Sequence, residues 1–169
     1  MHSNTKKLVH LALLVALEVV LSRFLSINTP IHKIGFAFVP LALSGMLYGP
    51  LAGFATGAVS DLLGATLFPS GPFFPGFTLT TALKGLVYGL CLSRKNTGGW
   101  KRIVFAVTFN AVVFSLILNT IWIHILSGAS IPALLVSRVG QELFLVPVQI
   151  LVLRALTASS LRRMWEKIG

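Results

Sequence analysis

Apolar residues run almost end to end along this chain, broken only by a few short polar or proline-rich connections. Several of the runs reach or approach the roughly 20 residues that a helix needs to cross a bilayer. The pattern predicts six helices, at about Lys7–Leu25, Ile34–Leu47 (a short one), Pro50–Leu67, Gly76–Leu92, Lys101–Leu126 and Pro132–Ser159. The start, Lys6-Lys7 followed by an apolar run, has the form of a secretory signal. The run continues to Leu21 and Phe24 with no small-x-small cleavage site, so it reads as a retained first helix.

One connection departs from this pattern. Phe68-Pro-Ser-Gly-Pro-Phe-Phe-Pro-Gly-Phe-Thr-Leu79 holds three prolines, two glycines and four phenylalanines within twelve residues. Proline lacks the N–H and clashes with the preceding turn, so helix cannot run through. Irregular backbone is not tolerated against lipid, so the segment must pack on protein or line a cavity. Aromatic rings on a proline-stiffened backbone at a membrane face suit a wall or lid for a flat ligand.

Composition supports a membrane-embedded chain: of 169 residues, 55% are hydrophobic and 11% charged, with a mean hydropathy of +0.87. A soluble domain carries about 25% charged residues. The net charge of +10 suggests nucleic acid until its distribution is followed. Glu18, Asp61 and Glu142 balance Arg23, Lys84 and Arg138 within or at the edges of the apolar runs. Almost all the remaining positive charge lies at the N-terminus, in the 94–102 connection and in the C-terminal tail. With six spans these three clusters fall on one side, which the positive-inside rule makes cytoplasmic, facing anionic lipid. No nucleic-acid partner is expected. The connections Ser26–Lys33, Phe68–Pro75 and Ser127–Ile131 then lie outside. The single cysteine, Cys91, permits no internal disulfide.

Small residues recur every four positions at Gly45, Gly49, Gly53 and Gly57, at Gly85 and Gly89, and at Ala12 and Ala16. Such spacing lets helix backbones approach closely. The alanine pair sits in the cytoplasmic half of the first helix, where a partner protein can dock.

The chain carries no phosphate-loop, zinc-protease or nucleophile-elbow motif, and its four histidines are scattered. No metal site is expected, and a binder or channel is favoured over an enzyme or self-powered pump. Charges inside a bilayer cost roughly 2.5–3.5 kcal/mol each and usually face a cavity or the bundle interior. Arg138 and Glu142 are spaced to pair along one helix, and Asp61 is placed to meet Lys84 across two. Asn119 and Trp122 add an amide and a large ring on the fifth helix, and Gln141 an amide on the sixth. With Phe73, Phe74 and Phe77, these groups suit a flat heteroaromatic ring with polar edges and an anionic tail.

Three stretches together resemble one known family: Phe68–Leu79, the block Ser22-Arg-Phe-Leu-Ser-Ile-Asn-Thr-Pro-Ile-His-Lys-Ile-Gly-Phe-Ala-Phe-Val-Pro40, and Asp61-Leu-Leu-Gly-Ala65. They are similar to the folate-specific S-components, the FolT family, of energy-coupling factor (ECF) transporters, and Ala12-x-x-x-Ala16 looks like that family's docking motif. The resemblance implies an all-α integral membrane protein of six transmembrane helices. It would form one domain over residues 1–169 in the cell membrane, with cytoplasmic N- and C-termini. It implies capture of folate or reduced folates from outside and delivery through a transmembrane coupling subunit and two cytoplasmic ATPases. ATP would be used by those partners, and this chain would bind no cofactor. Transport in the family is thought to involve toppling of the S-component. The implied pocket comprises the Arg23 region, Pro72, Phe73, Phe74, Phe77 and Thr78 of the loop, and the outer parts of the last two helices. Its expected ligand contacts are these with Asp61, Lys84, Asn119, Trp122, Arg138, Gln141 and Glu142. The alternatives are an S-component for another vitamin, a membrane scaffold or assembly subunit, and, least favoured, a small proton-coupled carrier.

Overall fold

The computed structural model describes residues 2–28, 33–69, 72–93 and 99–157. Six helices follow one another: α1 (His2–Arg23), α2 (Phe38–Tyr48), α3 (Pro50–Leu67), α4 (Pro75–Leu92), α5 (Trp100–Ser127) and α6 (Ile131–Thr157). Ser70 and Gly71 of the proline-phenylalanine connection lie outside the described residues. So do Arg94 and Lys95, the tail cations Arg162, Arg163 and Lys167, and the expected end of the last helix at Ser159.

The second helix starts later than the sequence pattern suggests. Ile27–Asn28 and Lys33–Ile34 form a short antiparallel β pair, with Ile27 opposite Ile34 and Asn28 opposite Lys33. A Cβ on Gly35 would stand 2.6 Å from the Cβ of Ser26. The two arms therefore touch at backbone range just past the pairing, and helix begins only at Phe38. With 11 residues, α2 is about 16 Å long at 1.5 Å per residue, against a hydrocarbon thickness of about 30 Å. Gly49, at φ 91°, turns the chain from α2 into α3, and Pro50 opens that helix. Among the described residues, α5 and α6 are the two helices both long and apolar enough to cross a membrane unaided, with mean hydropathies of 2.0 and 1.5.

Glycines lock α2, α3 and α4 into one block. A Cβ on Gly45 would lie 2.7 Å from the Gly89 nitrogen, and one on Gly57 2.5 Å from the Thr81 carbonyl oxygen. Gly53 and Gly85 face each other so closely that a Cβ on either would strike the other's carbonyl. The expected glycine ladder is thus an interhelical contact, except at Gly49, where space is open and the requirement is the positive φ. Beyond this block, Leu41, Ala42, Met46, Tyr88, Leu92, Ile103, Val107 and Leu153 form an apolar core. That core lies toward the end of the bundle remote from Pro75.

Surface and interior are inverted relative to a soluble protein. Leu51, Val136, Leu143 and Leu151 are exposed, while Glu18, Asn110, Arg138 and Glu142 are buried. Hydrocarbon surroundings favour that arrangement, because apolar side chains lose nothing by facing lipid and charges are driven inward.

The fifth helix is not uniform. Its central stretch, Asn110–Leu118, is π-helix between α-helical Trp100–Phe109 and Asn119–Ser127.

Candidate functional site

The buried polar residues surround a cavity of about 650 Å³ walled by all six helices, by residues 72–74 and by Ser26, Gly35 and Ala37 of the connection before α2. Tyr88, Asn110 and Gln149 line one part of it, and it reaches toward the proline-phenylalanine connection at Phe73 and Phe74.

At the loop end, Arg23 closes α1, and its Nη2 stands 3.9 Å from Asp61 Oδ1 on α3. The Thr78 hydroxyl donates to Asp61 Oδ2 at 2.7 Å, so one carboxylate ties α1, α3 and α4 together. Gly64, one turn beyond Asp61, gives the guanidinium room: a Cβ there would lie 2.7 Å from Arg23 Nε. Beside this knot Phe74 meets Phe77 edge to face, with ring centroids 6.0 Å apart, and Trp122 at a tilt, with centroids 5.4 Å apart. Pro75 occupies the first turn of α4, where its missing N–H costs no hydrogen bond. The rings therefore sit immediately before a fixed helix start.

In the middle of the cavity Lys84 donates to the Ser115 hydroxyl at 2.8 Å, and Glu142 lies among Lys84, Ser115 and Arg138. The Tyr88 hydroxyl donates to Gln149 Oε1 at 3.1 Å. The cavity thus offers aromatic faces near the loop, cations and a carboxylate in its middle, and neutral amide and phenol groups where Tyr88 meets Gln149.

Of the residues expected from sequence, Arg23, Asp61, Pro72, Phe73, Phe74, Phe77, Lys84, Asn119, Arg138, Gln141 and Glu142 all line this cavity. Thr78 and Trp122 do not line it. Thr78 faces Asp61, and the Trp122 indole N–H donates to the Thr80 hydroxyl at 3.1 Å, leaving its ring behind Phe74. The expected Asp61–Lys84 pairing is replaced by Asp61 with Arg23 and Lys84 with Ser115. The reason lies in position. Arg23 ends α1 level with Asp61, whereas Lys84 is nearly two turns deeper on α4 than Thr78, Asp61's partner there.

Glu18, one of the six charges read from sequence as a group, also lines the cavity, as do Tyr88, Asn110, Ser115 and Gln149, which were not expected there. Glu18 carried a signal, as a charge within an apolar run. Tyr88, Ser115 and Gln149 are the ordinary polar residues of any helix bundle. Asn110 was hidden by the π-helical stretch. Ala12 and Ala16 do not line the cavity and lie on the exposed face of α1, among exposed Leu8, Val9, Leu13 and Leu17.

Residues 6–157 match the family model described as "ECF transporter, substrate-specific component". The chain belongs to that family. Its similarity to individual S-components is extensive. The chain is 42% identical over 146 residues to the folate transporter FolT of Clostridium novyi (strain NT), covering 86% of this chain and 84% of that one. It is 34% identical over 152 residues to the folate transporter FolT of Leuconostoc mesenteroides subsp. mesenteroides, covering 87% and 82%. A crystal structure of FolT bound with folic acid superposes on this S-component with a TM-score of 0.86 at 34% identity, covering 90% of this chain and 93% of that one.

Proposed function

We propose that this S-component binds folate, reduced folates included, in the cavity enclosed by α1–α6. The observation that carries the reading is the match over nine-tenths of the chain to a FolT bound with folic acid, joined to a cavity whose groups suit each part of that ligand. Phe73, Phe74 and Phe77 offer ring faces near the loop, and Arg23, Arg138 and Lys84 offer cations for the glutamate carboxylates. Asn119, Gln141, Asp61 and Glu142 supply partners for the polar edges of the pterin and the amide.

Residues 72–78 act as wall and gate, with Pro72 holding Phe73 and Thr78 orienting Asp61. Trp122 serves as a backing for Phe74. The chain spans the cell membrane as six segments with both termini in the cytoplasm, so that the cavity opens outward. It docks through the Ala12–Ala16 face of α1 on a transmembrane coupling subunit, and two cytoplasmic ATPases drive delivery with ATP. It catalyses no reaction itself.

Titration of the purified protein with folic acid tests the reading. Saturable binding at or below micromolar concentration, with other vitamins at least a hundredfold weaker, is expected. Tight binding of a different vitamin in place of folate would refute the specificity.

A further inference from the structure

Asn110 and Asn119 stand nine residues apart on α5, one opening the π-helical stretch Asn110–Leu118 and the other directly following it. In regular α-helix, with 3.6 residues per turn, nine residues is about two and a half turns, which would set the two side chains on opposite faces. A π turn is closed by i→i+5 hydrogen bonds and takes more than four residues, so about nine residues complete two turns and return to the starting face. Both asparagines accordingly line the same cavity. In each, the side-chain oxygen is buried with no hydrogen-bond partner among the described residues. The Asn110 side chain is 3% exposed, and its amide nitrogen is directed at the Lys84 carbonyl oxygen at 3.4 Å. That leaves its oxygen for another donor. An unmet buried acceptor costs about 1–3 kcal/mol, and α5 holds two on one wall while departing from regular helix to align them.

We infer that Asn110 and Asn119 are specificity-determining residues, each accepting a hydrogen bond from a different N–H group of the ligand. The π-helical offset sets the spacing of the two groups, at most about 13.5 Å along the helix at α-helical rise. The inference rests on the folate reading and deepens it. Folic acid carries N–H donors on its pterin and on its glutamyl amide, at opposite ends of the aminobenzoyl spacer. A ligand that lacks the pterin donors or the glutamyl amide donor leaves one acceptor unmet.

The test uses the full-length protein in detergent and three ligands: folic acid, pteroic acid, which lacks the glutamyl amide, and p-aminobenzoyl-L-glutamate, which lacks the pterin. Asn110→Ala and Asn119→Ala should each weaken folic acid about tenfold, the equivalent of one hydrogen bond. On pteroic acid one of the two substitutions should lose its effect, and on p-aminobenzoyl-L-glutamate the other should. Comparing ligands within one variant cancels any general loss of stability, and Asn110→Leu and Asn119→Leu, close in size, repeat the measurement without opening a space. Equal weakening of all three ligands, or no weakening of folic acid, overturns the inference while leaving the folate reading intact. Failure of the unsubstituted protein to bind folic acid overturns both.

Discussion

Arg23 depends on a residue with no side chain. Its guanidinium lies in the space left by Gly64, 3.9 Å from Asp61. Gly64→Ala places a Cβ 2.7 Å from Arg23 Nε and should push the guanidinium away from Asp61. We expect folate affinity to fall about tenfold, equivalent to about 1.4 kcal/mol, in a titration of the purified variant. Unchanged affinity would refute the placement of Arg23 at the ligand. Trp122 and Phe74 separate along the same line of reasoning. Phe74→Ala removes a cavity wall and should weaken folate binding at least about tenfold. Trp122→Phe keeps a ring behind Phe74 and loses only the hydrogen bond to Thr80, worth about 1 kcal/mol. Its effect should appear in thermal unfolding, with affinity within about threefold. The charged and aromatic wall residues were legible in the sequence because a charge in an apolar run, or a ring beside a proline, needs a reason to be there. The exchange of partners at Asp61 was not, since it depends on how far α1 reaches along α3.

Helices α2, α3 and α4 owe their close approach to glycines, and the four-residue spacing announced it. Gly53→Ala drives a Cβ into the Gly85 carbonyl, a backbone atom that cannot rotate aside. Overpacking of this kind costs about 1–3 kcal/mol, so the variant should unfold at a clearly lower temperature in detergent. A midpoint equal to the parent's would contradict the close contact. The exposed face of α1 makes the opposite prediction. Ala12→Trp with Ala16→Trp should leave folate affinity unchanged while abolishing copurification with the coupling subunit. Loss of folate affinity in that variant would refute a separate docking role. The helices themselves could be read from apolar runs, with two failures. The start of α2 was displaced by the β pair and Gly35, and the π-helical stretch of α5 was invisible because an apolar run carries no phase. Asn110 therefore escaped notice while Asn119 did not.

The molecule buries Glu18, Arg138 and Glu142 while Leu51, Val136, Leu143 and Leu151 face outward, and its sequence gathers basic residues at the N-terminus, in the 94–102 connection and in the C-terminal tail. If those clusters are cytoplasmic, Phe73 faces the exterior. In a Cys91→Ser background, Phe73→Cys should react in whole cells with a membrane-impermeant thiol reagent, and folic acid should protect it. Labelling only after the membrane is opened would reverse the proposed orientation. The cavity also lies across a boundary. One side belongs to the glycine-locked block of α3 and α4, which share the most extensive helix contact among the described residues, and the other to α5 and α6, which meet that block without such a ladder. A bound ligand is then a keystone set in a seam, touching both masonry faces at once. A seam needs no tunnel: a slight parting of its two faces breaks stacking, ion pairs and hydrogen bonds together, so capture can be tight and release still abrupt.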